Sequence, residues 1–164
     1  MLFRSQVVAI QEKTLKEDHP SRLASQHELA RAYKANGQVE EAVALLKQVV
    51  AIREKTLKED HPSRLASQHN LAGAYEANGQ VEEAVTLLEQ VVAIQEKTLK
   101  EDHPDRLASQ QNLAELYELE GQVQKARALL EHVVEVEART LAEGHPDRLV
   151  SQQALARVTE RIVK

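Results

Sequence analysis

Four histidines at one fixed interval are the residues whose type and spacing first suggest chemistry. His19, His61, His103 and His145 follow one another at steps of 42 residues, and each precedes a proline. Imidazole binds zinc, but the ligands must converge within about 2 Å of the ion. Residues one repeat apart in a stacked helical array are displaced by about a helix diameter, ~10 Å. The interval therefore argues against a metal centre, and each His-Pro step is expected to join one helix to the next.

The residues before these histidines are expected to cap helices. Asp18, Asp60 and Asp102 each precede a His-Pro step, and an aspartate can accept hydrogen bonds from the free N–H groups that open a helix. Gly144 stands at the fourth step, so the cap is expected to be lost there.

Other candidate catalytic groups have the wrong spacing. The pairs Glu40-Glu41 and Glu82-Glu83 open helices, where negative charge meets the positive end of the helix dipole. Neighbouring residues on a helix point about 100° apart, so neither pair forms a dyad. The serines have His or Gln two residues on, which cannot meet them on a helix face. With no glycine-rich phosphate loop either, the chain is predicted to be non-catalytic and to hold no cofactor and no metal.

Composition narrows the class further. The chain has 164 residues, a formal charge of −5, 42% apolar residues and 2% aromatic residues. No stretch reaches the roughly 20 apolar residues of a membrane span, and no secretory signal opens the chain. The absence of cysteine suits a reducing compartment, so a cytoplasmic protein with no membrane contact is expected. The acidic balance and scarcity of aromatic rings disfavour nucleic-acid binding.

The 42-residue interval is a tandem repeat. Residues 10–51 and 52–93 differ at six positions, and residues 52–93 and 94–135 differ at thirteen. Apolar residues recur at helical spacing on both sides of an Asn-Gly or Glu-Gly step, which predicts two helices, A and B, per unit. Proline suits the first turn of helix A, and glycine can end it in the left-handed conformation. Each pair has too wide an apolar stripe to be buried alone, so neighbouring pairs must stack.

The predicted fold class is all-α, a right-handed α-solenoid forming a single repeat domain over residues 1–164. Its expected parts are a helix B at 1–16, three helix pairs within 20–58, 62–100 and 104–142, and a last helix A at 146–163. The B helices are expected at 38–58, 80–100 and 122–142, and the A helices at 20–35, 62–77 and 104–119.

One group of residues resembles a known family. Leu71-Ala72, Tyr75, Ala84 and Leu88 resemble the tetratricopeptide repeat signature, although Gln68 replaces its usual Trp and the unit has 42 residues instead of 34. The longer unit is similar to the repeats of kinesin light chains, and its near-identical copies look like the C-terminal arrays of fungal NLR-type (STAND) receptors. The resemblance implies a protein-interaction scaffold that binds a peptide in a concave groove lined by the A helices.

The positions that differ between copies fall on that face of helix A. By resemblance, Asn70 and Asn112 match asparagines that hold a ligand backbone, while Glu28 and Ala154 depart from the pattern. Arg31, Lys34 and Arg157 are expected to pair with acidic ligand side chains. The alternative is that these positions vary because they are merely exposed. The residues predicted to bind a peptide are His27, Arg31, Lys34, His69, Asn70, Glu76, Gln111, Asn112, Glu115, Glu118, Gln153 and Arg157.

Glu76, Glu115 and Glu118 are expected to make the middle of the groove acidic, so a ligand of mixed charge is implied.

A second reading is a self-assembly module. The last helix A keeps an apolar stripe at helical spacing, which could accept the opening helix B of a second copy and form a head-to-tail homo-oligomer. The residues predicted for this contact are Leu149, Leu155, Val158 and Ile162.

Overall fold

The computed structural model describes residues 2–163, so Met1 and Lys164 at the ends of the predicted domain lie outside it. The described chain contains only α-helices, and the predicted all-α class is confirmed. The helices are α1 (Leu2–Thr14), α2 (Pro20–Ala35), α3 (Val39–Thr56), α4 (Pro62–Ala77), α5 (Val81–Thr98), α6 (Pro104–Leu119), α7 (Val123–Thr140) and α8 (Pro146–Val163). None of them is long and apolar enough to cross a bilayer.

The A helices have their predicted bounds, whereas the B helices end earlier than predicted. Helix α3 stops at Thr56, and Leu57 is extended, with φ −120° and ψ 149°. A turn follows, closed by a hydrogen bond of 3.1 Å from the backbone N–H of His61 to the carbonyl of Lys58. Pro62 restricts His61 to an extended conformation, so helix α3 cannot run into α4.

Histidine, and not aspartate, caps the A helices. The Nδ1 atom of His61 accepts a hydrogen bond of 3.1 Å from the backbone N–H of Ser63. His19 and His103 accept in the same way from the N–H groups of Ser21 and Asp105. The predicted capping by Asp18, Asp60 and Asp102 is therefore wrong, because the imidazole already occupies the N-cap position. His145 accepts from Asp147 at 3.3 Å, so the fourth helix keeps its cap despite Gly144.

Glycine ends the A helices as predicted. Gly79 has φ 76°, and the N–H groups of Gly79 and Gln80 donate to the carbonyls of Glu76 and Tyr75 at 3.0 and 2.9 Å. This Schellman arrangement needs a left-handed residue, which glycine adopts without steric cost. The same geometry recurs at Gly37 and Gly121.

An arginine on each A helix binds the end of the preceding B helix. The Nη1 atom of Arg64 donates to the carbonyls of Leu57 and Glu54, both at 3.2 Å. These carbonyls lie at the negative end of the helix dipole and lack partners within the helix, so a guanidinium there is favourable. Arg22, Arg106 and Arg148 donate to Leu15, Leu99 and Leu141 in the same way.

The chain divides into two compact units, the first reaching Ala84 and the second beginning at Val85. In the first unit α1 packs on α2, α2 on α3 and α3 on α4; in the second, α7 packs on α6 and α8. Leu23, Leu46 and Val49 belong to the first core, and Leu107, Val133 and Val136 form a buried cluster in the second. Burying each such side chain contributes about 1.5–3 kcal/mol. The single repeat domain over 1–164 stays a prediction.

In both units a glutamine stands where the tetratricopeptide signature usually has Trp. Gln68 is 2% exposed, and its Nε2 atom donates to Glu54 Oε1 at 2.9 Å. The corresponding Gln26 and Gln110 donate to Glu12 and Glu96 at 3.2 and 3.1 Å. A buried amide thus couples helix A to the preceding helix B at the position where the family's usual Trp would stand.

Candidate functional site

Two of the predicted residues meet in the first unit. The Nδ2 atom of Asn70 on α4 lies 3.1 Å from Nε2 of His27 on α2, and it also donates to the carbonyl of Ala66 at 2.7 Å. Both side chains are half-buried. The amide nitrogen of Asn70 is therefore held by the protein itself, and a ligand can contact its carbonyl oxygen without breaking these bonds.

Cationic side chains surround this pair. Arg31 is 63% exposed and lies 3.2 Å from Glu28, an exposed contact that contributes little. Lys34 on α2 reaches α4, where its Nζ atom would lie 3.2 Å from a Cβ added to Gly73. The absence of a side chain at Gly73 thus leaves room for the ammonium group beside α4.

A third cation, Arg53 of α3, was not predicted. It is 9% exposed, and its Nη1 donates to the carbonyl of Ser63 at 2.7 Å. Burial lowers the pKa of His27, and the charge of Arg53 lowers it further, so the ring is kept neutral at neutral pH. The sequence contained a sign of this: at one repeat position the side chain is neutral in Gln11, positive in Arg53, neutral again in Gln95 and negative in Glu137.

The second unit contains an internal ion cluster. Glu118 of α6 accepts from Arg157 of α8 at 2.8 and 3.2 Å and from Arg161 at 2.9 Å. The carboxylate side chain is 10% exposed, while the two guanidinium side chains are 55% and 50% exposed. The hydrogen bonds from Arg157 lower the pKa of Glu118, and Glu118 in turn raises the pKa of Arg157.

The ion pairs of Glu118 with Arg157 and Arg161 alter the charge predicted for the groove of the A helices. Glu118 cannot act as an open acidic group because two arginines neutralise it, and Arg157 is already bound to Glu118. The predicted acidic middle is thus reduced by the charge of Glu118, while Glu115 remains close enough to Arg157 to raise its pKa. Glu76 and Glu115, the other two acidic residues in that prediction, are exposed.

Gln111 belongs to a buried contact at the junction of three helices. Its Nε2 atom donates to Glu137 of α7 at 3.2 Å and also contacts Oγ of Ser151 on α8. Glu137 is 1% exposed, and burial raises its pKa despite the hydrogen bond from Ser151. Gln111 therefore holds α6, α7 and α8 together, a structural role that the spacing of variable residues did not reveal.

The other predicted residues differ in exposure. His69 and Asn112 are half-buried, and Gln153 is exposed. Among the four residues predicted for self-association, Leu149 is 44% exposed, and Leu155 and Ile162 are half-buried. Val158 is 0% exposed, so its prediction as a contact for a second copy is corrected: it packs inside the second unit.

Comparisons with known proteins agree with this geometry. Models of the tetratricopeptide repeat family match residues 22–63 and 63–136. A crystal structure from Podosopora anserina, described as kinesin light chain-like with nearly identical TPR-like repeats, is 68% identical, covers 96% of this chain and 74% of that chain, and has a TM-score of 0.88. A point variant of that protein, with the same identity and coverage, has a TM-score of 0.89. No curated protein gives a significant match.

Distant structures share the fold alone. BtubC (BKLC) of P. vanneervenii is 18% identical, covers 85% of this chain and 56% of that chain, and has a TM-score of 0.76. The first TPR of Spaghetti (RPAP3), bound to the HSP90 peptide SRMEEVD, is 13% identical, covers 89% of this chain and 97% of that chain, and has a TM-score of 0.65. The family matches and the 68% identical structure confirm the predicted tetratricopeptide-type repeat of the kinesin light chain kind.

Proposed function

The chain belongs to the tetratricopeptide repeat family, and from this membership we propose that it is a non-catalytic scaffold whose A helices bind a segment of a partner protein. The peptide-bound relative is too distant to lend its ligand to this chain. The ligand chemistry is proposed instead from the charges of the first unit.

The observation that carries this proposal is the group of cations around Asn70. Arg31 and Lys34 are exposed residues of α2, and the charge of the buried Arg53 acts on His27. Glu28 offsets only one of these three charges, through an exposed contact with Arg31. An extended peptide that lays its acidic side chains on this face would gain charge-assisted hydrogen bonds, and Asn70 could position its backbone.

In the second unit we propose that the exposed guanidinium groups of Arg157 and Arg161 offer a further site for an acidic side chain. The Arg157 and Arg161 side chains are 55% and 50% exposed, so their guanidinium groups keep N–H donors for a ligand carboxylate. Gln153 and Asn112, on the same A helices, would contact the ligand backbone there.

The test is peptide selection followed by paired variants. Peptides chosen from a random library on the wild-type chain are expected to be acidic, and fluorescence anisotropy then gives their Kd. Lys34→Glu is expected to weaken binding about tenfold. Lys47→Glu is the matched control, because it makes the same charge change on an exposed residue of α3. Equal loss in both variants, or selection of peptides without acidic residues, would contradict the proposal.

We propose that the chain acts in the cytoplasm. We also propose that its repeats belong to a sensor array of the fungal NLR type. The support for the sensor array is the near-identity of the repeats, which this chain shares with the Podosopora anserina protein and which resembles the arrays of such receptors. Immunofluorescence of the full-length protein would test the location.

A second candidate function, head-to-tail self-association, is favoured by one comparison within the chain. Leu149 is 44% exposed, while Leu23, Leu65 and Leu107 at the same repeat position are 4%, 6% and 8% exposed. A partner helix B of a second copy would cover Leu149. Light scattering at about 100 µM should then show an oligomer that Leu149→Glu dissociates; a monomeric wild type would exclude this function.

A further inference from the structure

The orientation of the Asn70 amide is fixed by the atoms around it. Its Nδ2 atom donates to the carbonyl of Ala66 at 2.7 Å and lies 3.1 Å from Nε2 of His27. A carbonyl oxygen can only accept, so the nitrogen of the amide, and not its oxygen, must face Ala66. The second N–H of the same nitrogen then meets Nε2 of His27, which must carry a lone pair. The ring is therefore neutral, with its proton on Nδ1, and neither contact uses the amide oxygen of Asn70.

The groups around His27 favour this neutral form. Burial lowers the pKa of His27, and the positive charges of Arg53 on α3 and Arg31 on α2 lower it further. Glu28 on α2 acts in the opposite direction, but Arg31 lies 3.2 Å from it and offsets its charge. From α4 the ring meets the neutral amide of Asn70, and an N–H donated to the neutral form also favours that form.

A carboxylate bound beside His27 would reverse this balance. An opposite charge within about 4–6 Å favours the charged form of a titratable group, typically by tenfold or more in its proton affinity. The acidic side chains of the proposed ligand would lie on the face that carries Arg31 and Lys34, one and two turns along α2 from His27. Because coupling between two binding events is reciprocal, protonation of the ring must then favour the ligand by the same factor.

We propose, on the basis of the function proposed above, that binding of an acidic partner segment is coupled to protonation of His27. Nε2 takes up a proton from solvent, and its new N–H then faces the N–H groups of Asn70. Two donors cannot share one hydrogen bond, so the amide turns over, accepts from Nε2 through Oδ1 and moves away from the carbonyl of Ala66. That carbonyl keeps its backbone hydrogen bond within α4. The turned amide presents its N–H groups to the ligand carboxylate.

The coupling makes the first unit a pH-sensitive binding site. Protonation adds a positive charge and changes Asn70 from an acceptor into a donor, and both changes favour a carboxylate. Acidic segments should therefore bind more tightly as pH falls below about 6.5, until the ligand carboxylates themselves take up protons near about 4.3. Gln111 and Gln153 stand at the equivalent position in the second unit and cannot respond in this way.

The probe is acetylated tetraglutamate amide, titrated into the full ¹⁵N-labelled chain at pH 7.5 and at pH 5.5. Its Kd, measured from the backbone amide shifts of α2 and α4, should be about three- to tenfold lower at the acid pH. The corresponding tetraglutamine peptide is uncharged and should show no such gain. His27→Gln keeps an acceptor for Asn70 and should remove most of the difference, and the part that remains measures the other histidines.

Two failures of this titration are distinguishable. If the acidic peptide binds but does not tighten in acid, or tightens equally in His27→Gln, the coupling is overturned and the peptide site stands. If the acidic peptide saturates the amide shifts at neither pH, the proposed site and the coupling are both overturned.

The ring itself gives a second readout. The Hε1 resonance of His27, followed from pH 8 to 4.5, should show that the bound acidic peptide raises the pKa of the ring. Asn70→Ala should also raise it in the free chain, because the neutral form loses its donor. Asn78→Ala makes the same change at an exposed residue after α4 and should leave the titration unchanged. A pKa that the bound peptide leaves unchanged, or that Asn70→Ala lowers, would contradict the coupling.

Discussion

The amide nitrogen of Asn70 lies 3.1 Å from Nε2 of His27, which links α4 to α2 in the first unit. The link needs a neutral imidazole to accept the hydrogen bond, and burial together with Arg53 lowers the pKa of His27 and so favours that form. A residue predicted to touch a ligand is thus also part of the packing between two A helices.

His27 should make stability depend on pH. A histidine whose pKa is lower in the folded state than in the unfolded state contributes stability that is present above the unfolded pKa, about 6.5, and lost as pH falls through the folded value. Urea unfolding should therefore show a larger loss between pH 7.5 and 5 for the wild type than for His27→Gln, which carries the residue found at position 111. Equal losses would mean that His27 is not buried as a neutral base.

Glu118 should stabilise the second unit. Replacing it by Gln removes the negative charge and one of the two oxygens that accept from Arg157 and Arg161, and we expect a loss of about 1–3 kcal/mol in the free energy of unfolding. Because the pKa of Glu118 is lowered, the same stability should disappear as pH falls below the ordinary carboxyl range, toward the folded pKa. The control is Glu76→Gln at the exposed, equivalent position of the first unit, which should change the midpoint of denaturation little.

The histidine cap should matter more than the aspartate before it. His103→Ala removes the acceptor of the Asp105 N–H and should cost about 1 kcal/mol, a typical value for a lost N-cap. Asp102→Ala should cost less, because Asp102 is not the cap. If the aspartate variant were the less stable of the two in thermal unfolding, the assignment of the cap to histidine would be wrong.

Gly79 and Gly144 allow a paired test of the left-handed backbone conformation, because only Gly79 adopts it. Gly79 has φ 76°, a conformation that costs an alanine about 1–2 kcal/mol, so Gly79→Ala should lower the unfolding free energy by that amount. Gly144 has no positive φ and nothing within 4 Å of an added Cβ. Gly144→Ala should be neutral or slightly stabilising in calorimetry, since it restricts only the unfolded chain. Destabilisation by both changes to the same extent would contradict this account of Gly79.

The A helices could be predicted because single residues in the sequence mark where each one begins and ends. Pro62 and Gly79 fix the two ends of α4 through backbone geometry that depends on one residue each, and the copies repeat those marks. The B helices were predicted to end too late, because Leu57 carries no such mark and its extended conformation depends on the turn toward His61.

The candidate site was predicted less well, for a physical reason. The pairing of Glu118 with Arg157 joins side chains 39 residues apart, and the contact of Gln111 with Glu137 depends on the packing of α6 against α7. Such partnerships depend on side-chain reach across helices, which repeat spacing does not encode. The variation at position 53 was visible in the sequence, but the burial of Arg53 and its effect on His27 were not.

The hydrogen bonds from Arg22, Arg64, Arg106 and Arg148 to the carbonyl groups before them make every hairpin junction chemically alike. Unequal recombination between copies in the gene would add or delete one 42-residue segment. The new junction would still place an arginine beside a carbonyl group that can accept its hydrogen bond. Copy number can therefore drift without requiring a compensating mutation, and selection is left to act on the few residues that distinguish one copy from the next.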